Sequence, residues 1–379
     1  MLRTPFASER IQMIDPTTGI KVIQLTSYPV PAAHVPYDWP SITPDNRRII
    51  FYSQRWAGRG APWDIFRVDA DGLNIFQLTE DGDHDSAEGY YGRQWCALTL
   101  DGQTLYVLWN RILRRIDVET GNDETLCDLV KYAPEGVTLG HICISSTGKR
   151  LFIARWGTTA ALRYDLTTGA VDEVDFGGYI SGCIQDEPRV IVQRGQVVWG
   201  TEELPGGGRR VINAGTKLYL WNVDEDGGDA KLISQNIFAH YTNLGRSAKV
   251  QGCGLPPNRC IWIAEAGKEP EKLVQGPYFW HSGPSMDAEW IIADTNWPDM
   301  GLQLVHVPTR HFRTLCHPHA TLEHVEYGHS HPCISQDGRL VVFRSDRTGV
   351  QQVYVAHVTD EFRESVKVGE LDRPKDKWI

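Results

Sequence analysis

A short turn signature recurs along this chain of 379 residues and restricts the folds that it can adopt. Each copy begins with Ser or Thr, carries Asp or Thr two residues later, and precedes an apolar strand rich in β-branched residues. The copies begin at positions 43, 99, 145, 285 and 335. Short strands joined by tight turns pair with their neighbours in sequence, so each copy predicts a small antiparallel sheet.

The copies belong to units of roughly 45 residues with four predicted strands each, and this repeat length is typical of β-propeller blades. The clear units begin near Trp39, Ala97, His141, His281 and His329. The pattern weakens between residues 180 and 276, where we predict two further units. The predicted strands there are 217–223 (inner) and 231–235 (outer) in the fourth unit, and 238–249 and 260–264 in the fifth. The whole chain, 1–379, is therefore predicted to be one all-β domain, a seven-bladed β-propeller.

The last unit ends near Val358 and has only three clear strands. A bare sheet edge invites pairing with other chains, so a propeller needs a way to complete its last blade. The segment from about 20 to 26, Ile-Lys-Val-Ile-Gln-Leu-Thr, resembles the outer strands of other units. We therefore predict that this N-terminal strand closes the ring. The tail after about residue 360 is charged, and we expect it to be a solvated appendage.

The charge balance narrows the range of partners. The formal net charge of −10 argues against a nucleic-acid or anionic-membrane surface, although an acidic substrate needs only a local basic cleft. Eight cysteines without a CxxC pair predict reduced thiols in the core. We find no apolar run that would serve as a signal peptide or membrane span, so the expected location is the cytoplasm. The sequence leaves the oligomeric state open.

A pair of histidines, His329 and His331, stands just before the turn of the last unit. On an extended strand two such residues point to the same face, and Glu326 is close enough to curl in from the preceding loop. Three N and O donors at one spot suit a divalent transition metal. The plainer interpretation of any single histidine here is a residue that forms ordinary hydrogen bonds inside the central channel of the propeller.

The first strand of each propeller blade lines the central channel, so polar residues at the blade starts should converge. The histidines at such positions are His34, His141, His240, His281, His329 and His331. Because blades six and seven are neighbours, we favour metal binding by His281, His329 and His331 together. A second pair, His317 and His319, follows an outer strand and is predicted to lie far from the axis.

Several segments are similar to one known family. They are Asp15-Pro-Thr-Thr-Gly19, His34-x-Pro-Tyr37-x-Trp39, Trp280-His281 and Gly328-His-Ser-His-Pro332. The chain resembles the oligogalacturonate lyases of polysaccharide lyase family 22, which are pectin-degrading seven-bladed propellers. The likeness covers roughly half of the chain well, and the middle blades only loosely.

The resemblance implies a metal site and a base. In that family three histidines and a glutamine hold manganese, and an arginine is the proposed base. The corresponding metal ligands here are His281, Glu326, His329 and His331, with Mn²⁺ as the expected ion and Glu326 at the glutamine position. Lys217 stands at the arginine position and is the expected base, while His240 would orient the substrate or stabilise the enolate-like state. His34, Arg194, Arg209 and Arg246 are the expected substrate-binding residues. Arg194, Arg209, Arg210 and Arg246 are also the alternatives to Lys217 at the arginine position.

These features lead to three functional hypotheses. The first is a metal-dependent lyase that cleaves oligogalacturonides by β-elimination. The second is a lyase for a different uronate-containing or modified glycan, which the Glu326 and Lys217 departures motivate. The third is a non-catalytic propeller that binds a peptide or glycan, similar to the TolB-type repeats with their Ser-Pro-Asp-Gly turns.

Overall fold

The protein is described by a computed structural model that covers 5–35, 37–55, 62–80, 95–203, 205, 209–296, 299–321 and 328–369, with the side chains of 209–211 excepted. Its strands form seven antiparallel sheets of at least four strands each, plus one two-stranded hairpin. The prediction of an all-β, seven-bladed propeller is confirmed. No helix in this described part of the chain has the length and apolar character needed to cross a membrane.

The first three blades each follow the order in which their strands occur in the chain. Blade 1 contains β3 (Ala32–His34), β4 (Arg48–Ser53), β5 (Asp64–Asp69) and β6 (Phe76–Gln77). Blade 2 contains β7 (Cys96–Leu98), β8 (Thr104–Trp109), β9 (Ile112–Asp117) and β10 (Asp123–Asp128). A 3₁₀ turn at Val130–Tyr132 leads to blade 3, which contains β11 (Thr138–Ile144), β12 (Arg150–Trp156), β13 (Ala160–Asp165) and β14 (Val171–Asp175).

Blade 4 carries an insertion between its second and third strands. Its sheet contains β15 (Tyr179–Cys183), β16 (Arg189–Gln196), β19 (Lys217–Asp224) and β20 (Lys231–Gln235), and the inserted hairpin contains β17 (Trp199–Glu203) and β18 (Arg209–Asn213). Blade 5 contains β21 (Phe238–Asn243), β22 (Val250–Gly254), β23 (Cys260–Ala264) and β24 (Glu271–Gln275). Blade 6 contains β25 (Phe279–Pro284), β26 (Trp290–Thr295), β27 (Leu302–His306) and β28 (His311–Cys316).

Blade 7 combines strands from both ends of the chain. Its sheet contains β29 (Cys333–Ile334), β30 (Leu340–Ser345), β31 (Gln352–His357), β2 (Lys21–Gln24) and β1 (Ile11–Ile14). Within it β2 pairs antiparallel with β31, with Ile23 opposite Val355. An N-terminal strand therefore occupies the outer side of this blade, within the predicted segment.

The recurrent turn is held by a repeated hydrogen-bond pattern. In blade 6 the Ser285 hydroxyl donates to the Asp287 carboxylate at 2.5 Å and accepts from the Trp290 amide at 3.0 Å. In blade 7 Ser335 does the same with Asp337 at 2.7 Å and Leu340 at 2.9 Å. A short polar side chain thus satisfies the backbone where the inner strand turns into the second strand.

Apolar side chains of neighbouring blades pack against each other, so the core is divided among the spaces between sheets. The cluster between blades 7 and 1 includes Ile23, Phe51, Phe66, Val342 and Val355, all at most 1 % exposed. Because both faces of the inner part of each sheet are covered, second strands such as β4 and β26 are buried along their whole length, whereas outer strands such as β10 and β14 are largely exposed. This packing fixes the blade starts relative to one another.

Three predictions about local structure were wrong. The inner strand of blade 1 is β3, and the segment from Trp39 contributes only an isolated bridge between Ile42 and Ile49. In blade 4 β19 is the third strand and β15 the inner one, because the inserted hairpin obscured the repeat. The tail forms helix α1 (Asp360–Val368), in which Phe362 and Val366 are buried against blades 6 and 7.

Candidate metal centre

The inner strands of blades 5 and 6 begin on one face of the ring, which we call the entrance face. Phe238 opposite Gly254 and Phe279 opposite Thr295 mark this end of the two blades. In β25 the pairing shifts register between Phe279 and Ser282, so an irregularity holds His281 at this point. A bulge of this kind re-aims side chains, and here it places His281 among the residues of the channel.

His329 and His331 lie beside His281. The ring centroids of His281 and His331 are 3.8 Å apart and stacked, and those of His281 and His329 are 5.5 Å apart. The predicted reason for their convergence was wrong, because the regular strand begins only at Cys333 and His331 has a φ of +43°. Irregular backbone, rather than strand alternation, brings the two rings to the site. Glu326, the fourth predicted ligand, lies outside the described residues.

Asp294 joins this group from the second strand of blade 6. One ligand atom each from His281, Asp294 and His329 lies within 4.8 Å of the others. The Asp294 carboxylate accepts hydrogen bonds from the His281 amide at 2.8 Å, the His281 Nδ1 at 3.0 Å and the His331 amide at 3.0 Å. Since Nδ1 of His281 donates to this carboxylate, its Nε2 is left as the metal-binding atom.

Arg344, only 1 % exposed, lies behind the histidine pair. Its guanidinium donates to the His329 carbonyl at 3.1 Å and to Nδ1 of His331 at 2.5 Å. An arginine can only donate, so Nδ1 of His331 accepts in this arrangement. His331 is thus held by both charged groups, by Arg344 at its ring and by Asp294 at its amide.

Burial keeps the imidazoles neutral. It lowers the pKa of His329 to about 4 and the pKa values of His281 and His331 well below the ordinary value, with Arg344 acting in the same direction. Burial also raises the pKa of Asp294, which the neighbouring His329 and the two backbone donors partly offset. Neutral imidazole is the form that ligates metal ions at neutral pH.

The donor set fits a divalent transition metal. Nδ1 of His329 is buried with no hydrogen-bond partner among the described residues, an arrangement that a ligand would satisfy. Nitrogen donors with one carboxylate nearby suit Mn, Fe, Co, Ni or Zn rather than Ca or Mg. The residues that could hold the ion are His281 and His329, with Asp294 either orienting His281 or binding directly. His331 would join them only through a nitrogen released from Arg344, because its one free lone pair accepts from that guanidinium here.

Sequence reasoning missed Asp294 and Arg344, although each carries a recognisable signal. Each is the one charged residue inside its strand, β26 (Trp-Ile-Ile-Ala-Asp-Thr) or β30 (Leu-Val-Val-Phe-Arg-Ser). A charge in a strand buried on both faces needs a partner, so such a residue indicates an internal polar site.

Two of the other predicted site residues lie in the channel. The His240 ring is 4.5 Å from that of His281, and its Nε2 is buried with no partner among the described residues. His34 donates through Nε2 to the His331 carbonyl at 2.8 Å, so it supports the backbone of the histidine pair. Their predicted roles in substrate binding and catalysis remain predictions.

The predicted basic residues lie farther out. Lys217 is exposed at the start of β19, opposite Gln196 and two strands outward from the channel. The Arg194 guanidinium packs 4.8 Å from the Trp221 ring and donates to the Phe176 carbonyl at 2.9 Å. Arg246 pairs with Asp186 at 3.2 Å.

Arg246 lies away from the entrance face, because the adjacent Gly245 packs on the turn that begins at Ser285, at the far end of β25. Arg209 and Arg210 begin β18, and their side chains lie outside the description. In the described part of the chain, therefore, neither the predicted lysine nor any of the four predicted arginines is shown beside the imidazoles.

Fold and site together define a β-propeller with a histidine-rich centre near one end of its channel. Among solved structures, an oligogalacturonate lyase in complex with manganese is similar, with a TM-score of 0.72 and 17% identity over 96% of this chain and 100% of that chain. An oligogalacturonate lyase from Vibrio parahaemolyticus is also similar, with a TM-score of 0.72 and 16% identity over the same shares.

A more distant solved structure is similar as well. A chain of the mitotic checkpoint complex has a TM-score of 0.52 and 13% identity, over 94% of each chain. No protein-family model matches the sequence, and no curated protein matches it. At these identities the structural likeness shows a shared propeller fold, and function has to be argued from the site.

Proposed function

We propose that this protein is a metal-dependent lyase that cleaves oligogalacturonides or related uronate oligosaccharides by β-elimination. The observation that carries the proposal is the meeting of His281, His329 and His331 beside Asp294 at the entrance end of two adjacent blades. The similarity to a manganese-containing oligogalacturonate lyase over nearly the whole chain supports the same interpretation.

In this proposal His281 and His329 hold the cation, His331 ligates it once Nδ1 leaves the Arg344 guanidinium, and Glu326 remains a further candidate ligand. A bound divalent ion, with Mn²⁺ as the first candidate, would offset the charge of the substrate carboxylate and make the C5 proton easier to remove. Asp294 keeps Nδ1 of His281 protonated and fixes the ring orientation. Arg344 supplies a buried positive charge beside the His331 ring.

The reaction requires a base at C5. The elimination moves the C5 proton to the base, breaks the C4–O bond and leaves a C4=C5 double bond, and the leaving hydroxyl takes a proton from solvent. The His240 ring lies 4.5 Å from that of His281, and its Nε2 has no partner among the described residues, so this nitrogen is placed to accept the proton. Because Lys217 is exposed two strands outward, we place His240 first as base and Lys217 second.

Two alternatives are tested by the same assays. The first is a lyase for another uronate-containing or modified glycan, since nothing in the donor set selects galacturonate. The second is a non-catalytic propeller that binds a glycan or peptide, which predicts little bound metal and no chemistry. A panel of oligouronides separates the two lyases, because only the correct sugar gives an unsaturated product.

The decisive assay follows the absorbance of the new double bond on digalacturonate with Mn²⁺ and with EDTA. The proposal expects turnover with metal and its loss, rather than a raised KM alone, after chelation. Equal activity in both conditions would remove the metal from the mechanism. Absence of product from every oligouronide, in a protein fully loaded with metal, would remove the lyase activity.

We also infer that β2 closes the ring. The support is its antiparallel pairing with β31, together with the burial of Ile23 in the cluster between blades 7 and 1. Cytoplasmic location is part of the same proposal. All eight cysteines are free thiols, and seven are buried, as a reducing compartment allows.

A further inference from the structure

A second group of aromatic rings leads from the metal centre toward blade 5 on the entrance face. The Trp280 ring is 4.9 Å from that of His240 and 5.5 Å from that of Tyr278. Trp199, at the start of the hairpin inserted in blade 4, is 5.5 Å from Trp280 and 6.3 Å from His240. The side of Trp199 that faces away from these rings is open, since the residue is 41 % exposed.

The same group contains polar atoms that have no partner. Trp280 is 7 % exposed, and its Nε1 is buried with no hydrogen-bond partner among the described residues. The hydroxyl of Tyr278 and Nε2 of His240 are likewise buried without a hydrogen-bond partner among the described residues. Aromatic rings beside polar groups match a sugar ring, which presents C–H groups on its faces and hydroxyls at its edge, and the exposed face of Trp199 is the accessible part of this group.

A positive charge ends this row of rings. The Arg259 guanidinium lies 5.9 Å from the centre of the Tyr278 ring. Arg259 lies in the turn between β22 and β23. Because β22 ends at Gly254, opposite Phe238 at the start of β21, this turn is on the entrance face. No ion pair within the described ranges includes Arg259, whereas most other arginines there have a carboxylate partner. A half-buried guanidinium beside a row of aromatic rings is suited to bind the carboxylate of a ligand.

We propose that this surface, made of Trp199, Tyr278, Trp280 and Arg259, is a second uronate subsite. The proposal rests on the proposed function and extends it: when one uronate is at the metal centre, its neighbour lies along the accessible edge of this row, between Trp199 and Arg259. Trp199 covers one face of that sugar, and Arg259 pairs with its carboxylate. The subsite makes the protein selective for a substrate with two adjacent acidic sugars.

The test uses the full chain and compares Arg259→Gln and Trp199→Ala with the wild-type protein on digalacturonate. We expect Arg259→Gln to raise KM about tenfold or more with little change in kcat, since a charge-assisted hydrogen bond is lost. Trp199→Ala should raise KM about three- to tenfold, whereas Trp199→Tyr should have a KM close to that of the wild-type protein. Calorimetric binding of digalacturonate to EDTA-treated protein should show the same order without turnover.

Matched controls separate the subsite from general damage. Arg310→Gln removes an exposed arginine that pairs with Glu271 in the neighbouring blade, and Leu232→Ala removes an exposed apolar side chain of blade 4. Both should leave KM unchanged. On a digalacturonate methyl-esterified at the sugar that is not attacked, the wild-type and Arg259→Gln proteins should have the same KM.

The outcomes distinguish the two proposals. If the wild-type protein cleaves digalacturonate and Arg259→Gln has an unchanged KM, the subsite is wrong and the lyase stands. The same holds if Arg259→Gln is equally impaired on the methyl ester. If the metal-loaded wild-type protein neither binds nor cleaves any oligouronide, the lyase is wrong, and the subsite falls with it.

Discussion

The Asp294 carboxylate holds His281 at two points, the backbone amide at 2.8 Å and Nδ1 at 3.0 Å. This contact fixes which nitrogen of His281 is available for a metal. It also couples blade 6 to blade 7, because the same carboxylate accepts from the His331 amide. The geometry of the candidate centre therefore depends on a residue outside the histidine motif.

Replacement of this carboxylate should weaken metal binding. We expect Asp294→Asn to lower Mn²⁺ affinity about 10–100-fold, because the amide oxygen is a weaker acceptor and no longer enforces the His281 tautomer. Calorimetric titration with Mn²⁺ measures the effect. Asp287→Asn, in the turn at the far end of the same blade, is the control and should bind normally. Equal affinity in both variants would remove the orienting role.

His240 should affect chemistry more than metal loading. His240→Ala is expected to lower kcat about 10²–10⁴-fold, as for a lost general base, while the bound metal content stays near the wild-type value. Lys217→Ala should have a smaller effect because that side chain is exposed and two strands outward. If Lys217→Ala abolishes turnover and His240→Ala does not, the assignment of the base is reversed.

The closing strand should matter for stability. Ile23 is 1 % exposed in the cluster between blades 7 and 1, and Ile23→Ala should destabilise the fold by about 2–5 kcal/mol. Ile11→Ala, at a residue 49 % exposed on the outermost strand, should change stability by less than about 0.5 kcal/mol. Urea unfolding compares the two. A small effect at Ile23 would argue against β2 as a structural closure.

Asp15 links the N-terminal turn to blade 6, and its contribution should depend on pH. Burial alone would raise its pKa, but amide donors from His317, Thr18 and Thr17 hold the pKa below the ordinary 3.8. The ionised form is thus favoured in the folded state. Its stabilisation is complete above the unfolded-state pKa and is lost as pH falls through the folded-state pKa.

Asp15→Asn should therefore reduce stability at pH 7, and the difference from wild type should close as the pH falls below about 4. Asp165→Asn is a matched control. Asp165 is half-buried and accepts from Thr167 and Thr168 within its own turn, whereas Asp15 also accepts from the His317 amide at the end of blade 6. Unfolding at pH 7 and at lower pH compares the variants. A destabilisation of Asp15→Asn that is independent of pH would contradict the linkage.

Much of the fold could be predicted from the turn repeat, because the Ser or Thr hydroxyl and the Asp carboxylate act within five residues of sequence. The hairpin at Trp199 and the irregular inner strands could not, since they depend on contacts between blades. The meeting of His281 with the histidine pair followed from blade order. Asp294 and Arg344 each carry a signal, a single charge inside an otherwise apolar strand, but only the packing of the blades shows that these charges meet the imidazoles.

Metal content of the purified protein is the most direct test of the central claim, that His281 and His329 hold one divalent ion. After loading with Mn²⁺ and desalting, elemental analysis should find about one equivalent in the wild-type protein and less than about a tenth in His281→Ala and His329→Ala. His311→Ala, at an exposed histidine of the outer strand of blade 6, should retain the full amount. A wild-type protein without metal, or full loading in all three variants, would contradict the account.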